Sequence, residues 1–145
     1  METMVSPNKL ENKEALAIAR QNFKTWNDAL QTNNPTEVAR LYANDAAFLP
    51  TLSAEFKIGN DQAEGYFEHF LQKHPFGEII NEQVHALGDG YYSYSGLYNF
   101  EVGPEERREI ANARFTFVYG KDELGEWKIL DHQSSLVPKV DPVSN

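Results

Sequence analysis

The second half of this 145-residue chain consists of four long runs of strand-forming residues separated by short turns, and nothing else constrains its fold so tightly. The runs cover 78–87, 91–102, 109–120 and 126–137, each rich in β-branched and aromatic side chains. Gly88-Asp89-Gly90 is a tight-turn signal. Gly103-Pro104-Glu105 and the stretch from Gly120 to Gly125 are looser turns. Consecutive strands joined in this way are antiparallel neighbours, and a sheet built from them twists.

The first half reads as helices. Leu16, Ala19, Phe23, Trp26 and Leu30 recur at three- and four-residue steps, which predicts a helix to about Leu30 with these side chains on one face. Asn8 with Glu11 offers a cap-like start, and Asn33-Asn34 a stop. Asn34-Pro35-Thr36-Glu37 opens a second, short helix: a capping side chain, proline at the first helical position and Glu three residues after the cap. That helix is expected to carry Val38, Leu41 and Tyr42. Residues 46–52 read as a short strand that Pro50 keeps at an edge or a bend. Asn60 caps a third helix over 61–73, with Ala63, Phe67 and Leu71 in one row and Tyr66 and Phe70 in the next.

Helices first and strands afterwards predict an α+β fold, with a curved antiparallel sheet roofed by helices. A helix of about 20 residues laid across the concave face leaves a cone whose open end is a pocket. A single domain over 1–145 is expected, ordered from about 9 to 138 with mobile ends.

Composition narrows the function classes. A formal charge of −9 repels phosphate backbones, which argues against nucleic acid as a partner. No apolar run approaches the ~20 residues needed to span a bilayer, and Met1 to Glu14 has no secretory character, so no membrane partner and a cytoplasmic location are expected. The chain has no cysteine and 4 histidines, His69, His74, His85 and His132. Thiolate chemistry is excluded, and no H-x-H, H-x₃-H or H-E-x-x-H spacing points to a metal. No metal or other cofactor is expected.

The richest polar segment runs from Trp127 to Pro138. Strand alternation puts Leu130, His132 and Ser134 on one face and Ile129, Asp131, Gln133 and Ser135 on the other. These groups either solvate a strand end or turn an imidazole and a hydroxyl into the pocket. In the preceding strand Arg114 and Thr116 share one face, and Phe115, Phe117 and Tyr119 the other. A guanidinium in so apolar a run needs a partner, either a carboxylate in a structural salt bridge or an anion in the pocket. Thr51 supplies a hydroxyl after Pro50, and Tyr66 lies on the roof helix beside Phe67 and Phe70.

Several segments in order resemble a known family: Trp26-Asn27-Asp28-Ala29-Leu30, Val38-Ala39-Arg40-Leu41-Tyr42, Leu49-Pro50-Thr51-Leu52-Ser53, Tyr66-Phe67 with Phe70-Leu71, Ala113 to Tyr119, and Trp127-Lys128-Ile129 running into His132-Gln133-Ser134-Ser135. Together they resemble the association domain of calcium/calmodulin-dependent protein kinase II and its free-standing relatives, within the nuclear-transport-factor-2-like or cystatin-like superfamily. The Leu-Pro-Thr-x-Ser and His-x-Ser-Ser elements are similar to those of iota-class carbonic anhydrases, some of which work without metal. The resemblance implies a cone-shaped fold and a small pocket for CO₂ and bicarbonate. It implies Thr51, Tyr66 and a serine as the hydrogen-bonding set, and leaves Ser134 and Ser135 both open. Gln133 stands where the family often has a second histidine, which weakens a metal or proton-transfer role there.

The expected reaction is metal-independent hydration of CO₂. Hydroxyls of Thr51, Tyr66 and Ser134 or Ser135 orient water, and His132 or buffer takes the proton. Arg114 and Thr116 bind substrate, and Phe23, Trp26 and Phe70 form the apolar wall. The alternative is a non-catalytic hub that assembles or binds a small carboxylate through Arg114. An isomerase-like enzyme ranks last, because Asp131 and His132 sit on opposite strand faces. A homodimer is expected through the outer sheet face, with Tyr92, Tyr94, Tyr98 and Phe100 as an aromatic stripe to be covered by helices or a partner.

Overall fold

The computed structural model describes residues 10–140. Three helices, α1 (Asn12–Gln31), α2 (Pro35–Ala39) and α3 (Gly59–Phe70), pack on six strands: β1 (Tyr42–Leu49), β2 (Lys57–Ile58), β3 (Phe76–Ala86), β4 (Tyr91–Val102), β5 (Glu109–Lys121) and β6 (Trp127–Leu136). The order across the curved, unclosed sheet is β2-β1-β6-β5-β4-β3. Every neighbouring pair is antiparallel except β1 and β6, which run parallel. The sheet is therefore mixed, not purely antiparallel. The chain leaves β1 through α3 and a three-strand meander, and returns beside it in the same direction, as a parallel pair requires. The carboxyl-terminal half of this layout is what places β6 at the centre of the molecule.

α1 buries Ala19, Phe23, Trp26 and Leu30 of the face its periodicity predicts, while Leu16 is only half-buried and Ala15 beside it is buried instead. It is clamped to the start of β3 by Asn27, whose amide donates to Gly77 O at 3.1 Å and accepts from Gly77 N at 2.9 Å. Asn8 lies outside the described residues, and Glu11 at the cap position makes no side-chain cap bond. Asn34 caps α2 by accepting from Thr36 N at 3.1 Å. Leu41 and Tyr42 fall beyond the helix, and Tyr42 opens β1.

β1 is flanked on both sides, so Pro50 does not mark an edge strand; it lies just past the strand's last residue, and β2 forms the edge. Asn60 does not cap α3. Its amide donates to Tyr42 O and Ala39 O, tying α3 to the α2–β1 junction, while Gln62 Oε1 accepts from Ile58 N at 2.7 Å.

Two bulges shape the concave face. Facing the Leu97–Tyr98 step of β4, β3 carries an extra residue, Ile80, between Ile79 and Asn81, and the Asn81 carbonyl approaches the neighbouring Gly96 so closely that any Cβ at 96 would overlap it. In β6, Leu130 is the extra residue, so Ile129 and His132 both point inward although they are three apart. The strict alternation read from the sequence therefore fails at Ile129 and Leu130 but holds for His132 and Ser134.

Tyr92, Tyr94, Tyr98 and Phe100 are all buried, on the inner face with Phe115, Phe117 and Tyr119. The aromatic stripe is core, and gives no support to a dimer through the outer face. Trp26 of α1 sits against this row, within 6.5 Å of the rings of Phe67, Tyr98, Phe100 and Phe117.

Candidate active site

Behind Pro50 the chain turns sharply, with Leu52 at φ 66, and this turn presents Thr51 to the inner end of β6. The Thr51 hydroxyl hydrogen-bonds that of Ser134. From α3, Tyr66 donates to the Thr51 carbonyl at 3.0 Å, its ring stacked on Phe70 and edge-on to Phe48. From β4, Tyr98 donates to Ser134 Oγ at 2.5 Å and lies 3.2 Å from His132 Nε2. The other ring nitrogen of His132 is 2.8 Å from the Tyr42 hydroxyl, which accepts from Trp26 Nε1 at 3.2 Å.

These groups enclose a cavity of about 10 Å³, at the lower limit for holding one water. The hydroxyls of Thr51, Tyr66, Tyr98 and Ser134 face the rings of Phe48, Phe67, Phe70 and Phe100, with Trp26 and His132 beneath. Thr51, Tyr66 and Phe70 also border an outer groove of about 460 Å³, which runs along Leu52, Ser53, Lys57 and His69. Those three side chains are the partition between cavity and surface.

The cavity is electrically neutral. His132 is 2% exposed and sandwiched between Phe117 and Phe48, at 4.0 and 5.0 Å. Burial pushes its pKa from 6.5 down to about 3, so it is uncharged near neutrality. Burial likewise pushes the Tyr66, Tyr98 and Tyr42 phenols up from 10.0, so all stay protonated and act as donors. Among the described residues no buried side-chain nitrogen or oxygen lacks a partner. Among them, too, no three His, Cys, Asp or Glu side chains converge as metal ligands would.

Residues 14–138 match the calcium/calmodulin dependent protein kinase II association domain. The chain belongs to this family. A crystal structure from Xanthomonas campestris assigned to the same association-domain family is 38% identical, with TM-score 0.81 over 95% of this chain and 100% of that one. An NTF2-like protein with a cystatin-like fold from Novosphingobium aromaticivorans is 7% identical, with TM-score 0.72 over 88% of this chain and 85% of that one. A ketosteroid isomerase-like protein from Erwinia carotovora is 14% identical, with TM-score 0.68 over 87% and 98%. The last two share the fold alone. No match is found among the curated proteins.

Measured against this association-domain cone, the residues singled out from the sequence divide cleanly. Thr51, Tyr66 and Ser134 come together, with His132 directly beneath them, and Trp26 and Phe70 line the cavity. Phe23 does not line it; it packs behind Trp26 and Tyr98 at 5.6 and 6.3 Å. Ser135 is directed away: it pairs across the strands with Arg114 on the outer face, whereas Ser134 pairs with inward Phe115. Arg114 is exposed on that outer face, so it is neither a buried salt bridge nor an anion anchor in the pocket. Thr116 is beside it in the same row, its hydroxyl 2.9 Å from that of Ser95. Buried, neutral and engaged at both nitrogens, His132 is unsuited to accept a proton from the reaction.

Sequence reasoning missed Tyr98 and Tyr42, which hold Ser134 and His132 in place. The signal was present for Tyr98. It shares a face of β4 with Tyr94 and Phe100, and antiparallel pairing sets that face against Phe115 and Phe117.

Proposed function

We propose that this association-domain protein is a metal-independent carbonic anhydrase. The observation that carries the reading is the convergence of four neutral hydroxyls, from Thr51, Tyr66, Tyr98 and Ser134, on one water-sized apolar chamber. CO₂ is small, linear and nearly apolar, and the aromatic wall suits it. Hydration forms a bond from water oxygen to carbon, develops negative charge on a carboxyl oxygen and releases one proton. A donor aimed at that oxygen in a dry site, the Thr51 hydroxyl, stabilises it. Holding water and CO₂ in contact lowers the entropic part of the barrier. With His132 held neutral, the proton leaves past Thr51 and Tyr66 to buffer in the outer groove. CO₂ reaches the chamber by displacement of the same partition.

The rival readings lose their anchors. A carboxylate-binding module would need a cation in the pocket, and Arg114 is outside it. An isomerase of the kind found among structural neighbours would need a buried carboxylate, and Asp131 is exposed on the outer face. We take the chain to self-associate, at least as a homodimer, because its family is one of association domains. Among the described residues no helix is long and apolar enough to cross a membrane, and we assign the protein to the cytoplasm.

Stopped-flow CO₂ hydration by chelator-treated protein tests the proposal. The expected result is a rate above buffer that chelation leaves unchanged. A rate equal to buffer, or one that appears only on adding zinc or manganese, overturns it.

A further inference from the structure

Six side chains from five elements, α1, β1, β6, β4 and the turn after β1, form one unbroken relay: Trp26, Tyr42, His132, Tyr98, Ser134 and Thr51. Its direction follows from the donor inventory of each group. An indole N–H can only donate, so the Tyr42 oxygen receives it. The single Tyr42 hydrogen then has one partner left, His132 Nδ1, which must be bare. A neutral imidazole carries one hydrogen, here on Nε2 and aimed at the Tyr98 oxygen. Tyr98 donates to Ser134. Of the two possible directions for the Ser134–Thr51 bond, Ser134 donates, because the reverse would leave the hydrogen of the buried serine without an acceptor, whereas Thr51 borders the outer groove. The opposite assignment, with hydrogen on Nδ1, would aim two donors at Tyr42 and leave the Tyr42 hydrogen with no acceptor in a fully buried place. At the far end the Thr51 hydrogen has no partner within the relay. Tyr66 spends its hydrogen on the Thr51 carbonyl, so toward the chamber it lines its oxygen can only accept.

We propose that Trp26, Tyr42 and His132 are positioning residues: the Trp26 N–H sets the direction of the relay, Tyr42 holds His132 as the Nε2–H tautomer, and the Thr51 hydroxyl is thereby kept as a donor for an acceptor oxygen of the ligand. The chamber presents one donor, Thr51, and one acceptor, Tyr66. It selects a small molecule with a carbonyl or carboxylate oxygen over one that offers hydrogens only. That this molecule is CO₂ or bicarbonate rests on the carbonic anhydrase reading; the direction of the relay does not, and it is read without substrate.

His69, His74 and His85 are exposed, and His74 has φ 51, a conformation that asparagine tolerates. Full-length protein carrying His69→Gln, His74→Asn and His85→Gln leaves His132 as the one histidine. Two-bond proton–nitrogen correlation spectra at pH 7 then report its tautomer directly. The expected spectrum is that of a neutral ring protonated on Nε2, with Nδ1 bare. Tyr42→Phe in the same background removes the hydrogen that Nδ1 accepts, and a fraction of Nδ1–H ring appears. An imidazolium, or a ring protonated on Nδ1, in the parent overturns the proposal. A Tyr42→Phe spectrum identical to the parent overturns the role of Tyr42. Should that variant not fold, the parent spectrum decides the direction alone.

Discussion

Ser134→Ala lowers the rate of CO₂ hydration by about 100-fold or more, while Ser135→Ala leaves it within a factor of two. The donor to the developing oxyanion is the Thr51 hydroxyl, which Ser134 holds in place, and losing such a preorganised donor costs roughly 10²–10³ in turnover. Here the loss goes beyond one hydroxyl. Ser134 accepts from Tyr98 and shares its bond with Thr51, so its removal unpins both. The adjacent Ser135 is a strict control, because it differs by one residue and faces the opposite side of the sheet. Arg114→Ala is a second control from the same outer row. Rates are compared at matched folded fraction, since a buried donor left without a partner costs about 1–3 kcal/mol of stability. Equal losses for Ser134→Ala and Ser135→Ala would contradict the placement of the site.

The folded protein loses stability as pH falls below about 6.5. Burial holds the folded pKa of His132 near 3, against 6.5 for the free side chain. Between those values the unfolded chain binds a proton that the folded chain refuses, so stability rises with pH across the window and drains away on acidification. The full slope is about 1.4 kcal/mol per pH unit. Between pH 7 and pH 4 the loss from this one group is about 3 kcal/mol, a large share of a typical folding free energy. Glu82 acts separately. Its hydrogen bond from Arg20 is the main cause that holds its carboxyl below 4.5, so its contribution is lost only as pH falls through that lower range. Urea unfolding at a series of pH values separates the two: an onset near 6.5 belongs to His132, and a curve flat to pH 5 contradicts the burial argument.

The long strands were legible because period-two patterning and glycine turns are local signals. β4 spans the expected residues, and β3, β5 and β6 lie within two residues of expectation. Pairing between distant segments was not legible. The parallel contact of β1 with β6 joins residues such as Phe48 and His132, and no local pattern announces it. The sequence separates the two faces of β5, but its reading of Arg114 and Thr116 as substrate-binding turns the wrong row inward. Burial energetics favour the other row, since three aromatic rings gain far more from leaving water than a guanidinium can. The same reasoning puts Tyr92, Tyr94, Tyr98 and Phe100 under α1. Once Phe115 points inward, register alone distinguishes Ser134, its cross-strand partner, from Ser135, the partner of Arg114. His132 reads as a proton acceptor in the sequence, because a sequence gives no measure of depth. Its enclosure by Phe48, Phe117 and two tyrosines is a product of the fold.

A crystal of this protein soaked in bicarbonate is the most direct test of the chamber as the place of reaction. Bicarbonate is expected between Thr51, Tyr66 and Ser134, with an oxygen within hydrogen-bond distance of the Thr51 hydroxyl and the Tyr66 or Phe70 ring moved aside to admit it. A chamber that stays closed around nothing larger than a water, while bicarbonate is found elsewhere on the protein or not at all, would contradict it.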